Sequence, residues 1–202
     1  LKRSPFPFSR WLAAILSAGL GIGILTWIMM LEGMLGIPFR LLTILLPFLV
    51  VCAPGMVLWW RQPAPATPTQ SQSSRLIFVG RMVTLLVSAA ILFNAVYWPF
   101  YKQDTLGIYA DQAHFMYATG GLIPLNLTFY SYYQAYPMLV QLSYTYSYLA
   151  SGWEDPYLAK LIPTLLSLAC LGAVYYLAKT LYDEKSGWLA VLLLALTPLF
   201  GR

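Results

Sequence analysis

Asp104, Asp111 and His114 are the residues of this chain whose types and spacing are best suited to chemistry. In an α-helix, positions seven apart nearly superimpose, so Asp104 and Asp111 would share one face. His114, three residues further on, would lie close to that face. Two carboxylates and an imidazole can act as a general base or ligate a divalent metal ion. The same pattern also describes solvated acids on an exposed helix with a surface Asp–His pair. The residues by themselves leave both readings open.

These residues sit in a segment, 101–157, that is too polar to cross a membrane and holds eleven of the chain's 15 tyrosines. The spacing predicts a helix over 105–119, closed by Gly120-Gly121, since glycine favours the left-handed conformation that ends helices. Residues 122–136 are rich in Pro, Asn and Tyr and predict irregular backbone. Pro137 suits a first helical turn, and a second helix is expected over 137–150. Met138, Leu142 and Leu149 would share one of its faces, with Tyr144, Tyr146 and Tyr148 around the rest. Both helices read as amphipathic and tyrosine-rich, a composition that suits the membrane–water interface. A turn follows at Gly152-Trp153-Glu154-Asp155-Pro156, and Lys160 falls at the lip of the next apolar helix.

The rest of the chain sets the class. Of 202 residues, 59% are hydrophobic and only 9% charged, with a mean hydropathy of +0.67, where a soluble domain carries about 25% charged residues. A helix needs about 20 apolar residues to span the hydrocarbon core. Uncharged runs of roughly that length occupy 11–31, 41–60, 82–100 and 161–178, and a shorter one occupies 188–200. The expected fold is all-α: a polytopic transmembrane helical protein with a large outer loop containing interfacial helices. Residues 61–75, rich in Pro, Ser, Thr and Gln, read as a flexible cytoplasmic linker. They divide a two-helix preface, 1–60, from a membrane domain, 76–202, whose outer loop is 101–157. Gly19 and Gly23 in the first helix have a spacing that permits close helix packing. Cys52 and Cys170 fall inside apolar runs and read as packing residues.

Orientation follows from Lys and Arg, which concentrate on the cytoplasmic side. With the N-terminus inside, eight of the 12 basic residues face the cytoplasm and five of the seven acids face out. The net charge of +5 is then a topogenic signal and does not suggest nucleic acid. The apolar run at 11–31 is longer than a signal-peptide core and reads as an anchor. Starting at Leu1 and stopping at Arg202, the chain is expected to be the N-terminal part of a longer polytopic protein.

From about residue 97 to 200 the order of elements resembles the N-terminal half of a glycosyltransferase-C superfamily enzyme, such as the protein O-mannosyltransferases and the lipid A aminoarabinose transferases. The elements are Asp104 after a membrane helix, Gly121-Leu-Ile-Pro124, Tyr136-Pro137, and Asp155-Pro-Tyr-Leu-Ala-Lys160-Leu-Ile-Pro163. They continue with Lys179-Thr-Leu-Tyr182-Asp-Glu-Lys-Ser-Gly187 and Thr197-Pro-Leu-Phe200. Many members open the loop with adjacent Asp-Glu, whereas Thr105 follows Asp104 here, and some carry Lys where Tyr136 stands. The resemblance implies a polyprenyl-phosphate sugar as donor and a glycan, lipid or protein acceptor above the bilayer. It makes Asp104, then Asp111, the candidate catalytic carboxylate. His114, Tyr133, Tyr136 and Lys160 become the candidate substrate-binding residues, Lys160 holding the lipid phosphate. A divalent metal is left open, and Lys160 also reads as an interfacial anchor whose stem lies along the apolar surface.

Two functions follow. One is a membrane glycosyltransferase in the plasma membrane of a bacterium, with its loop outside. The other is a transporter or lipid-handling protein without catalysis. Transport pathways need polar residues at depth, and Asn94 is nearly alone within the runs, which favours the enzyme.

Overall fold

In the computed structural model, residues 10–61, 75–100, 105–124 and 137–197 are described. All their regular structure is helical. In chain order the helices are α1 (Arg10–Met34), α2 (Leu41–Arg61), α3 (Arg75–Tyr97), α4 (Asp111–Thr119), α5 (Leu139–Ser151), α6 (Pro156–Leu181) and α7 (Glu184–Ala195). A π-helical stretch, Thr105–Ala110, runs directly into α4. Three helices are long and apolar enough to cross a membrane, at Leu12–Met34, Arg75–Tyr97 and Pro156–Leu181, as an integral membrane protein requires. α2 is apolar over Leu41–Val57 and carries Pro47 and Pro54.

Local sequence explains the ends of these helices. Gly120 closes α4 at φ 68° and Gly152 closes α5 at φ 77°. At both positions the left-handed backbone lets the glycine N–H reach back, to Met116 O and to Tyr148 O. Asp155 starts α6: its Oδ1 accepts from the N–H groups of Tyr157 (2.9 Å) and Leu158 (3.2 Å), with Pro156 as the first helical residue. This is the cap-then-proline order that suits a helix N-terminus. Asp183 does the same for α7, accepting from Ser186 N at 2.7 Å. That bond, which needs the charged carboxylate, holds the Asp183 carboxyl below its ordinary pKa.

The chain divides into two compact units. One comprises α1 to Gly19, α3 to Phe93, α6 from Thr164, and α7. Glycines let its helices approach closely. A methyl group at Gly172 would lie 2.6 Å from Ile15, and one at Gly80 would lie 2.8 Å from Trp188 Cβ. Arg81 on α3 pairs with Glu184 at 3.3 Å and lies over the Trp188 ring. The Gly19/Gly23 spacing makes no such approach: nothing lies within 4 Å of a methyl at Gly23, and only Leu166 reaches Gly19, at 4.0 Å. Close packing falls instead on isolated glycines that face large side chains.

The second unit runs from Leu20 to Arg61 and from Asn94 to Pro163. Its core joins the preface to the segment between α3 and α6: Leu25 and Met29 of α1, Phe39, and Ile44 of α2 pack with Met116, Ile123 and Leu142. Met29, Ile44 and Met116 are fully buried. The Phe39 N–H donates to Gly120 O at 2.7 Å, and Gly33 leaves room for Leu122. α5 differs from the interfacial helix expected. Residues 141–145, 147 and 148 are all buried, so protein surrounds most of its circumference. The helix tolerates this because its hydroxyls bond locally. Ser143 donates to Val140 O, Thr145 to Gln141 O, and Ser147 to Tyr144 O, at 2.7–2.9 Å. These small, self-satisfied hydroxyls let neighbouring helices come close without orphans of their own.

Candidate functional site

Among the described residues of 101–157, the acid and imidazole groups gather on α4 and in the turn that leads into α6. One face of α4 is fixed in the interior: Gln112, Ala113 and Met116 are buried to 1% exposure or less. The opposite face therefore has a set direction. It carries His114, and Asp111 stands three residues before it, a spacing that makes the two neighbours on the helix surface. Asp111 is half-buried and has no hydrogen-bond or ion-pair partner among the described residues.

His114 is engaged. Its Nδ1 lies 2.7 Å from Oε1 of Glu154, forty residues on in the turn between α5 and α6. A carboxylate only accepts, so Nδ1 donates, and Nε2 is the ring atom left for other work. Both side chains face solvent, the histidine 56% and the glutamate 41% exposed. The turn is held at each end, by the Gly152 closure of α5 and the Asp155 cap of α6. Glu154 is thus presented from a short connection between two fixed helices.

Behind this pair lie tyrosines. Tyr117 of α4 meets Tyr148 of α5 edge-on at 5.9 Å, and Tyr144 stacks on Phe100 at 5.2 Å. Burial pushes the Tyr148 phenol well above its ordinary pKa, and the nearby carboxylates of Glu154 and Asp155 add to the effect. Burial, and then Tyr109, push Tyr144 up to about 12. Both phenols are held in their neutral form, and their rings wall the site. Deeper still, Gln141 Nε2 donates to Gln112 Oε1 at 3.1 Å. The remaining atoms of that pair, Gln112 Nε2 and Gln141 Oε1, are buried without a partner.

Lys160 stands in the second turn of α6, and its ammonium is occupied. Nζ donates to Trp98 O at 2.6 Å and Asn94 O at 2.9 Å, with Asn94 Oδ1 further off at 3.5 Å. The C-terminal carbonyls of a helix lack intrahelical partners and carry partial negative charge. Lys160 supplies both hydrogen bonds and a countercharge to the end of α3. Asp104, Tyr133 and Tyr136 lie outside the described residues. The six residues before Asp111 are π-helical, so the two-turn arithmetic that aligned Asp104 with Asp111 does not apply across them. Among the described residues, no three His, Cys, Asp or Glu side chains come together in a metal-binding group.

Sequence reasoning missed Glu154 as the partner of His114. No local pattern connects residues forty apart, and only the Gly-x-x-Asp-Pro turn hinted that this acid would be held in place. Taken together, fold and site define an all-α chain with three helices fit to cross a membrane and a polar, tyrosine-lined helix pair between the second and third of them. No family model, curated protein or solved structure matches the chain.

Proposed function

We propose that this chain is part of an integral-membrane glycosyltransferase that moves a sugar from a polyprenyl-phosphate donor to an acceptor at the outer face of a bacterial plasma membrane. The observation that carries this reading is the concentration of acid, imidazole and phenol groups in one segment beside the ends of apolar helices. The order of elements from 97 to 200, which resembles the glycosyltransferase-C superfamily, names the reaction. In it a carboxylate, Asp104 first and Asp111 second, deprotonates the acceptor hydroxyl or orients it or a metal ion while the lipid phosphate leaves. The N-terminus lies in the cytoplasm and 101–157 forms the outer loop. The low polarity of the spanning helices supports the enzyme over a transporter.

The test is transfer from a radiolabelled polyprenyl-phosphate sugar by the intact protein in nanodiscs. Asp104→Asn removes the charge and most of the basicity while keeping the shape. General-base assistance is typically worth about 10²–10⁴ in rate, so the variant should insert normally and lose most transfer. If Asp111→Asn alone loses activity, the two carboxylates exchange places. Full activity in both overturns the carboxylate mechanism. Orientation is checked by cysteines introduced at Ser131 and Ser73. The first should react with an impermeant reagent in intact cells and the second only after permeabilisation, and the reverse pattern overturns the topology.

A further inference from the structure

The His114–Glu154 contact has the geometry of a base and its orienter rather than of a buttress. An ion pair that holds a fold together gains most when it is withdrawn from water, because exposed pairs contribute little. This pair is more than 40% exposed on both sides, while the helix face behind it and the turn that carries Glu154 are fixed by buried side chains and two caps. The fixed parts hold the atoms, and the exposed parts leave Nε2 accessible. His114 is also the chain's one histidine, the side chain whose ordinary pKa lies nearest neutrality.

We propose that His114 and Glu154 form a proton-transfer dyad, with His114 Nε2 taking the acceptor's hydroxyl proton and Glu154 positioning the ring through Nδ1. The proposal rests on the glycosyltransferase reading in its second form, in which the carboxylates orient the acceptor and the proton goes to His114 instead. Asp111, on the same face of α4, then orients the acceptor. As the acceptor oxygen bonds to C1 of the sugar, its proton passes to Nε2. The bond from C1 to the phosphate oxygen breaks and its electron pair leaves with the lipid phosphate. The imidazolium returns its proton to water, which completes the balance without an oxidant or a further co-substrate. Other titratable groups around the dyad are Asp111 and Tyr117 on α4, Tyr148 on α5, and Asp155 in the turn.

The experiment measures transfer from the polyprenyl-phosphate sugar against pH for the intact protein, alongside His114→Ala and Glu154→Gln. The His114→Ala variant should bind donor normally and transfer about 10²–10⁴-fold more slowly. Because the site is open to solvent, added imidazole should restore at least tenfold of that loss. Glu154→Gln keeps an acceptor for Nδ1 but removes the negative charge. Its transfer should fall less, and the acid limb of its pH profile should move to lower pH. Undiminished transfer by His114→Ala overturns the dyad and leaves the glycosyltransferase reading standing. So does a loss that imidazole does not restore together with an unshifted acid limb for Glu154→Gln, since a purely structural contact behaves that way. Wild-type protein that neither binds nor uses any lipid-linked sugar overturns both.

Discussion

Replacing Gln112 and Gln141 with methionine, singly and together, should give opposite results. Both amides are buried, at 1% and 0% exposure. They share one bond, Gln141 Nε2 to Gln112 Oε1, and leave one donor and one acceptor unpartnered. Gln112→Met removes the orphaned donor but strands Gln141 with both of its polar atoms unpaired. The number of orphans stays at two and one hydrogen bond is lost, at a cost of about 0.5–1.5 kcal/mol. Gln141→Met mirrors this. The double variant has no bond and no orphans. It forfeits the same 0.5–1.5 kcal/mol, roughly, but recovers about 1–3 kcal/mol for each orphan removed. The net should be a gain of about 0.5–5.5 kcal/mol over wild type. Methionine is unbranched and close to glutamine in volume, so packing changes little. Thermal unfolding in detergent reads the effect, since 1 kcal/mol moves Tm by about 2–4 °C in a chain of this size. Each single variant should melt below wild type and the double variant above it. A double variant less stable than wild type would refute the reasoning and show that a buried water satisfies the two free atoms.

Lys160→Met removes the ammonium that caps α3 through Asn94 O and Trp98 O. Bonds to a charged donor are worth about 1.5–3 kcal/mol, so Tm should fall even without any lipid-linked donor, and an unchanged Tm would deny the capping role. The same variant measured for donor binding tests whether the ammonium also holds phosphate. Tyr144 supplies an alkaline limit. Its folded pKa is raised to about 12 above an unfolded value near 10. The neutral phenol is therefore favoured by folding. Its contribution is complete below about pH 10 and is lost as pH rises through the folded value. Tyr144→Phe should flatten the fall in stability over that range, and an unaltered alkaline profile would contradict the burial effect.

Some helix ends were legible in the sequence because their causes are local. Gly120 closes a helix where a left-handed residue was needed, whereas Gly152 and the Asp155-Pro156 pair, read only as parts of a turn, close one helix and open the next. The apolar runs located the spanning helices but misplaced their ends. α3 begins at Arg75, not at 82, and α6 extends beyond its apolar run to Pro156 and Leu181. Backbone hydrogen bonds carry a helix on past the last apolar residue, and long cationic side chains such as Arg81 find partners at its flank. Packing was not legible. Nothing in the preface signals that Met29 and Ile44 will be buried against Met116 and Leu142, because that complementarity is a property of paired surfaces. The tyrosines and hydroxyls of α5 pointed to an interface with lipid, yet the helix is largely enclosed by protein, with the hydroxyls of Ser143, Thr145 and Ser147 satisfied at home.

The candidate site was legible in its residue types and hidden in its partners. His114 was recognisable as a side chain suited to chemistry, but its partner came from a turn forty residues away. Lys160 was recognisable as a cation at a helix lip, but the lip it serves belongs to α3 as well as to α6. These two cases share a physical cause. Where apolar helices end, unpaired backbone carbonyls and amides must find partners, so polar side chains collect there whether or not a substrate binds. Asp155 at the start of α6 and Lys160 at the end of α3 answer that demand. The His114–Glu154 pair does not, for it satisfies no helix end and buries neither side chain. Among the polar groups of this segment it is the arrangement that structural necessity explains least, and for that reason the one on which an assay of transfer is most informative.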